Sequence, residues 1–138
     1  MRITLESDYA LRIIVALAEE ISVIDAKSLS DKTLVTQRFT LKILHKLVKG
    51  GLVSSYKGVK GGYMLKLKPE EITLKRVIEL IDGPIVLARC LEGGEECLLN
   101  PDKTSCVFHH IFDAISLDVA KKLNKITIAD ILNKDYSF

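Results

Sequence analysis

From Ser7 to Glu20 the apolar residues Tyr9, Ile13, Ala16 and Leu17 recur at helical spacing, and Ala10, Ile14 and Ala18 widen the stripe, which predicts an amphipathic helix. Ser7 is the expected N-cap and Asp8 suits the first turn. Asp25 caps a short second helix over 26–33, and Leu34-Val35-Thr36 reads as a turn. Thr36 then caps a third helix ending at Lys49 before Gly50-Gly51, with Leu41, Leu44, Leu47 and Val48 facing inward and Gln37, Arg38, Lys42, His45, Lys46 and Lys49 outward. Here the pattern changes to that of a hairpin. Leu52–Tyr56 and Tyr63–Leu67 read as strands around the glycine-rich turn Lys57-Gly58-Val59-Lys60-Gly61-Gly62, and Pro69 ends the second. Thr73 caps a helix from Leu74 to Ile81, stopped by Asp82-Gly83-Pro84. Residues 85–105 are irregular, with Gly93-Gly94 and Asn100-Pro101. A long helix from Cys106 to Leu123 follows, striped by Phe108, Ile111, Phe112, Ile115, Val119 and Leu123, with Asp113, Asp118, Lys121 and Lys122 on its wetter side.

Three helices, a two-stranded hairpin and a fourth helix make a mainly α winged helix-turn-helix, followed by a long C-terminal helix. Such a helix pairs with its copy in a dimer or packs back on its own domain. Ile126, Ile128, Ile131 and Leu132 supply a further apolar patch for the second arrangement. The 138 residues suit one compact domain with an appendage. No apolar run approaches the roughly 20 residues of a membrane span, and no signal-peptide core opens the chain, so a cytoplasmic location is expected.

Net charge is only +2, but it is unevenly spread. Between Lys32 and Pro69 there is no acidic residue and there are nine cations, while the rest of the chain is acidic. A single solvated helix face usually mixes both signs. A basic segment that coincides with the third helix and the hairpin therefore predicts a polyanion-binding face, and in this fold the polyanion is double-stranded DNA. Thr36, Gln37 and Arg38, with Lys42 one turn on, are the candidates for the major groove; Arg38 has the geometry for guanine and Gln37 for adenine. Lys57 and Lys60 in the wing suit phosphates or the minor groove. Phe39 is either core or a contact to a thymine methyl.

Cys90, Cys97 and Cys106 fall within 17 residues, and the first 89 residues contain none. An odd number of clustered thiols argues against a disulfide framework and for a metal or cofactor site; soft thiolates suit iron–sulfur clusters or zinc. The spacing lacks the close pairs of zinc ribbons. Three thiolates leave one position for another ligand. His109 shares a helix face with Cys106 at i+3, and His110 competes at i+4. No phosphate loop, paired-carboxylate motif or nucleophile elbow is present, so the chain is not expected to be an enzyme.

Four stretches carry a resemblance: Met1-Arg2-Ile3-Thr4 with Ser7-Asp8-Tyr9-Ala10-Leu11-Arg12; Gly51-Leu52-Val53-Ser54-Ser55 with Gly58-Val59-Lys60-Gly61-Gly62-Tyr63; Glu71-Ile72-Thr73-Leu74; and the cysteine loop with the long helix and Ile126-Thr127-Ile128-Ala129-Asp130-Ile131-Leu132. The chain resembles the Rrf-type family of winged-helix regulators over nearly its whole length. The resemblance implies a homodimeric transcription factor, commonly a repressor, bound to a near-palindromic operator. Its affinity would be set by a 2Fe–2S or 4Fe–4S cluster sensing redox state, nitric oxide or cluster supply, or in some members by a small molecule or protein partner. It further implies His109 as fourth ligand in the manner of IscR-like members, or Asp8, donated by the other subunit, in the manner of NsrR-like members. The expected organisation is a DNA-binding domain at 1–83, a cysteine-bearing cluster loop at 84–105, and a dimerisation helix and tail at 106–138.

Overall fold

The computed structural model describes residues 2–93, 97 and 102–136. The order is α1 (Leu5–Glu19), α2 (Ala26–Thr33), α3 (Gln37–Lys49), β1 (Val53–Tyr56), β2 (Gly62–Leu65), α4 (Leu74–Asp82), α5 (Val107–Lys125) and α6 (Ile128–Asn133). Asp25, Thr36 and Thr73 cap α2, α3 and α4, each accepting a backbone N–H three residues on. The helix stripes and the hairpin thus form where the pattern puts them: a mainly helical winged helix-turn-helix with a long helix behind it.

Two local readings are corrected. Thr4, not Ser7, caps α1: its hydroxyl accepts from Ser7 N–H while its own N–H and hydroxyl donate to Asp82 at the end of α4. Ser7 is instead fully buried inside the first turn. On α3 the buried face is Thr40, Ile43, Leu44 and Leu47, an i, i+3, i+4, i+7 set, which leaves Leu41 one step off the stripe and 44% exposed.

α1 is the central element. Its Ala10, Ile13, Ile14 and Leu17 meet Leu29 of α2, Ile43, Leu44 and Leu47 of α3, Val53 of β1 and Val77 of α4 in one cluster. The apolar tail closes this core. Thr127 forms a capping box with Asp130, Ile128 is fully buried among the same residues, and α6 lies against α1. Backbone bonds from Leu74 N–H to the Ile126 carbonyl and from Ile128 N–H to the Ile72 carbonyl pair the start of α4 with the start of α6.

The wing is antiparallel, pairing Val53 with Leu65 and Tyr56 with Gly62. It is also held from outside, because Ile24 in the α1–α2 connection exchanges two backbone hydrogen bonds with Tyr63, at 3.0 and 2.8 Å. The glycines of the turn make this possible. A methyl group on Gly61 would lie 2.3 Å from the Tyr56 carbonyl oxygen, and one on Gly62 (φ +153°) would lie 2.4 Å from that of Ile24.

α5 runs 19 residues, and only Ser116 among them is buried. The Ser116 hydroxyl accepts from Leu87 N–H and donates to the Phe112 carbonyl, tying mid-helix to the segment after α4. The predicted apolar stripe is present but open: Phe108, Ile111, Phe112 and Ile115 are all exposed, Phe108 by 70%. Phe108 and Phe112 stack on each other along it.

Candidate functional site

The first turn of α3 leaves the helix free to approach a partner. Thr36 is occupied as cap, while Gln37 and Arg38 project into solvent beside it. The wing carries Lys57 and Lys60 on an exposed loop. Arg38, Lys49, Lys57 and Lys60 make no ion pair among the described residues. Phe39 lies edge-on to Tyr9, with ring centroids 6.1 Å apart, and stays 44% exposed.

The basic segment is not as free of acids as its sequence. Lys32 pairs with Glu19 and Glu20, and both Lys42 and Lys46 reach Glu6 of α1, at 3.1 and 2.6 Å. No local signal could have revealed Glu6, which is 36 residues from Lys42 and meets it only because α1 crosses α3. The Lys46 hydrogen bond, opposed by burial and reinforced by Lys42, holds the Glu6 carboxyl below its usual range.

The second site is formed by the segment between α4 and α5. Cys90 in a 3-10 turn (Arg89–Leu91), Cys97, Lys103 in a second such turn (Lys103–Ser105), Cys106 and His109 line one cavity of about 30 Å³. The three cysteines are free and half-buried. Cys106 is the N-cap residue of α5 but makes no side-chain cap bond. His109 Nδ1 is buried without a hydrogen-bond partner among the described residues. His110, its rival by spacing, is not among the residues that line this cavity, and its Nε2–H donates to the Thr104 carbonyl at 2.7 Å. Of the expected glycine- and proline-marked loop, Gly94 and Asn100-Pro101 lie outside the described residues.

Asp8 lies apart from the cavity within one chain. It pairs with Arg12 at 2.7 Å and lines a groove with Leu11, Val15, Leu74 and Ile131. Arg12 also sits 5.7 Å from the Tyr9 ring centroid.

Three thiols and an imidazole nitrogen without a hydrogen-bond partner among the described residues form a soft donor set that fits an iron–sulfur centre and also zinc. Among the described residues no group of three or more His, Cys, Asp or Glu side chains is arranged for a single metal ion. The cavity has about the volume of one water, so a cluster would spread the loop on entering.

The family model described as Rrf2, iron-dependent transcriptional regulator, matches residues 3–134. The chain belongs to the Rrf2 family. This Rrf2-family chain is 28% identical to the HTH-type transcriptional regulator NsrR of Bacillus licheniformis, over 99% of its own length and 96% of the relative's. It is 28% identical to the regulator IscR of Aliivibrio salmonicida, over 96% and 77% of the two chains. Among solved structures it is similar to CymR, the global cysteine regulator of B. subtilis, with a TM-score of 0.73 and 27% identity over 97% of this chain and 98% of that one. As an Rrf2-family protein it is a transcriptional regulator, in keeping with relatives named as regulators rather than enzymes. Among the described residues no helix is long and apolar enough to cross a membrane.

Proposed function

We propose that this protein is a homodimeric repressor whose affinity for a near-palindromic operator is governed by an iron–sulfur cluster held by Cys90, Cys97 and Cys106. The observation that carries this reading is the shared cavity, where three thiols and the unpartnered His109 nitrogen converge. His109 is the fourth ligand favoured by that geometry; Asp8 from a second copy is the alternative. The bound cluster supplies a centre that gains or loses an electron, or reacts with oxygen or nitric oxide. The chain's part is to hold that centre between the reading head and α5, so that a change in the loop alters the spacing of two heads and the population of DNA-competent dimers. In this division residues 1–83 form the DNA-binding domain, 84–105 the cluster loop and 106–138 the dimerisation helix and tail, with α6 of the tail packed back against α1 to complete the head.

Thr36, Gln37, Arg38 and Lys42 enter the major groove in this reading, and Lys57 and Lys60 hold the wing to the adjacent backbone. Arg38→Ala is expected to weaken binding to a duplex selected from a random pool by about 10- to 100-fold, and to a shuffled duplex far less. Fluorescence anisotropy on the two duplexes checks this; equal losses on both would make Arg38 a phosphate contact.

The open stripe of α5 is the proposed dimer face. Ile115→Asp puts a charge in its middle and is expected to convert the dimer to a folded monomer. Light scattering reads the mass, circular dichroism the retained helix. An unchanged dimer would remove α5 from the interface.

The first experiment is anaerobic purification and reconstitution, with the visible spectrum and the iron, sulfide and zinc content per chain. Brown protein with iron and acid-labile sulfide supports the cluster. Colourless protein, with zinc or without metal after reconstitution, favours a cluster-free or zinc-binding regulator controlled by a small molecule or protein partner. The likeness to CymR is the observation behind that second reading.

A further inference from the structure

Arg38, Lys42 and Lys46 stand four residues apart and form one stripe along α3, the stripe that carries the proposed groove contacts. Two of these three cations converge on a single carboxylate, Glu6, whose side chain is only 21% exposed. The start of α1 that carries Glu6 is itself fixed, because Thr4 donates both its N–H and its hydroxyl to Asp82. One acid thus stands against two lysines at the edge of the helix expected to meet DNA. A stabilising role alone accounts poorly for this, since partly exposed ion pairs contribute little to folding.

We infer that Glu6 is a specificity-determining residue, which offsets the phosphate attraction of Lys42 and Lys46 so that the protein binds arbitrary DNA weakly and depends on base contacts for its operator. A phosphate approaching these lysines must displace the Glu6 carboxylate or lie beside a like charge. Arbitrary duplex is held almost wholly by phosphate contacts, so it bears the full loss; on an operator the base contacts of Gln37 and Arg38 seat α3 so that Lys42 turns away from Glu6 into the groove, and the loss there is smaller. The inference rests on the reading that α3 enters DNA.

The test uses the full chain, a duplex selected by the wild-type protein from a random pool, and a shuffled duplex of equal composition, each titrated by anisotropy over a range of KCl. Glu6→Gln is expected to tighten the shuffled duplex about tenfold and the selected one about threefold or less, and to steepen the salt slope on the shuffled duplex by about one to two. Glu6→Asp keeps the wild-type ratio. Equal tightening on both duplexes, no change, or weakening of both would overturn the inference. A second comparison leaves Glu6 in place. Lys42→Gln is expected to cost shuffled-duplex affinity less than Lys57→Gln, whose lysine makes no ion pair among the described residues; equal costs overturn the inference as well. A wild-type protein that binds no duplex in a salt-dependent, selective way would instead remove the DNA reading itself.

Discussion

Gly62→Ala is expected to unseat the wing and lower the stability of the whole protein. The added methyl would meet the Ile24 carbonyl oxygen at 2.4 Å and its carbon at 2.7 Å, both backbone atoms of the α1–α2 connection. No side chain can swing aside to relieve that. The φ of +153° adds a penalty for any L-residue with a Cβ. Either the two hydrogen bonds between Ile24 and Tyr63 break or the connection moves off α1. The combined loss is about 3 kcal/mol or more, which lowers the melting temperature by roughly 10 °C. Gly58→Ala is the control. Its φ is also positive, but nothing lies within 4 Å of the added carbon, so about 1 kcal/mol is expected. Scanning calorimetry on both variants separates steric from conformational cost. Equal shifts would mean that the connection yields and does not anchor the wing. DNA affinity should fall with Gly62→Ala even below the melting transition, because Lys57 and Lys60 ride on the same hairpin.

Cys106→Ser is expected to abolish the cofactor while leaving the fold intact. Serine is a favoured N-cap, so α5 starts as well as before or better. Its hydroxyl, however, is a poor substitute for a soft thiolate on iron. Cluster occupancy after anaerobic reconstitution should fall by more than the roughly 10- to 100-fold that loss of a merely supporting group causes. The visible absorption and the iron and sulfide content report this directly, and an unchanged melting curve of the apo-protein shows that the head is undisturbed. Full retention of iron and sulfide would exclude Cys106 as a ligand. His109→Ala then sorts the fourth position. A shifted spectrum assigns it to His109, and an unaltered one turns attention to Asp8.

The elements were legible in the sequence because each rests on local signals: Asp25, Thr36 and Thr73 as caps, the apolar stripes, and the double glycine before Tyr63. What was hidden is what depends on distant partners. Thr4 and Ser7 are equally good caps in isolation, and Asp82, 78 residues from Thr4, is among the partners that hold the helix start at Thr4. The segment from Lys32 to Pro69 is free of acids as a string, but as a surface it receives Glu6 and Glu19 from α1 and Glu20 just past its end. In the cysteine site, spacing alone left two histidines in competition. The cavity is lined by His109, while His110 meets the Thr104 carbonyl, and both placements depend on the turn between Lys103 and Ser105 rather than on helical period alone. Lys103 at the cavity wall had no sequence signal marking it.

The pairing of Thr73 with Thr127 bears on how the chain acquires its structure during synthesis. Ile128 is fully buried against residues of the first helix, and the strand-like bridge that delivers it spans more than fifty residues. A nascent chain that has emerged only as far as α4 carries the wing and α3 but still exposes the apolar seat that α6 covers. Such an intermediate is sticky and a target for chaperones. Completion of the reading head therefore waits on translation of the tail, by which time the cysteine segment and α5 have already been made. Under the proposed function, cofactor delivery and subunit pairing would then compete in time with closure of the core, and slowing translation after Lys125 should lengthen the period in which the regulator is exposed to proteolysis.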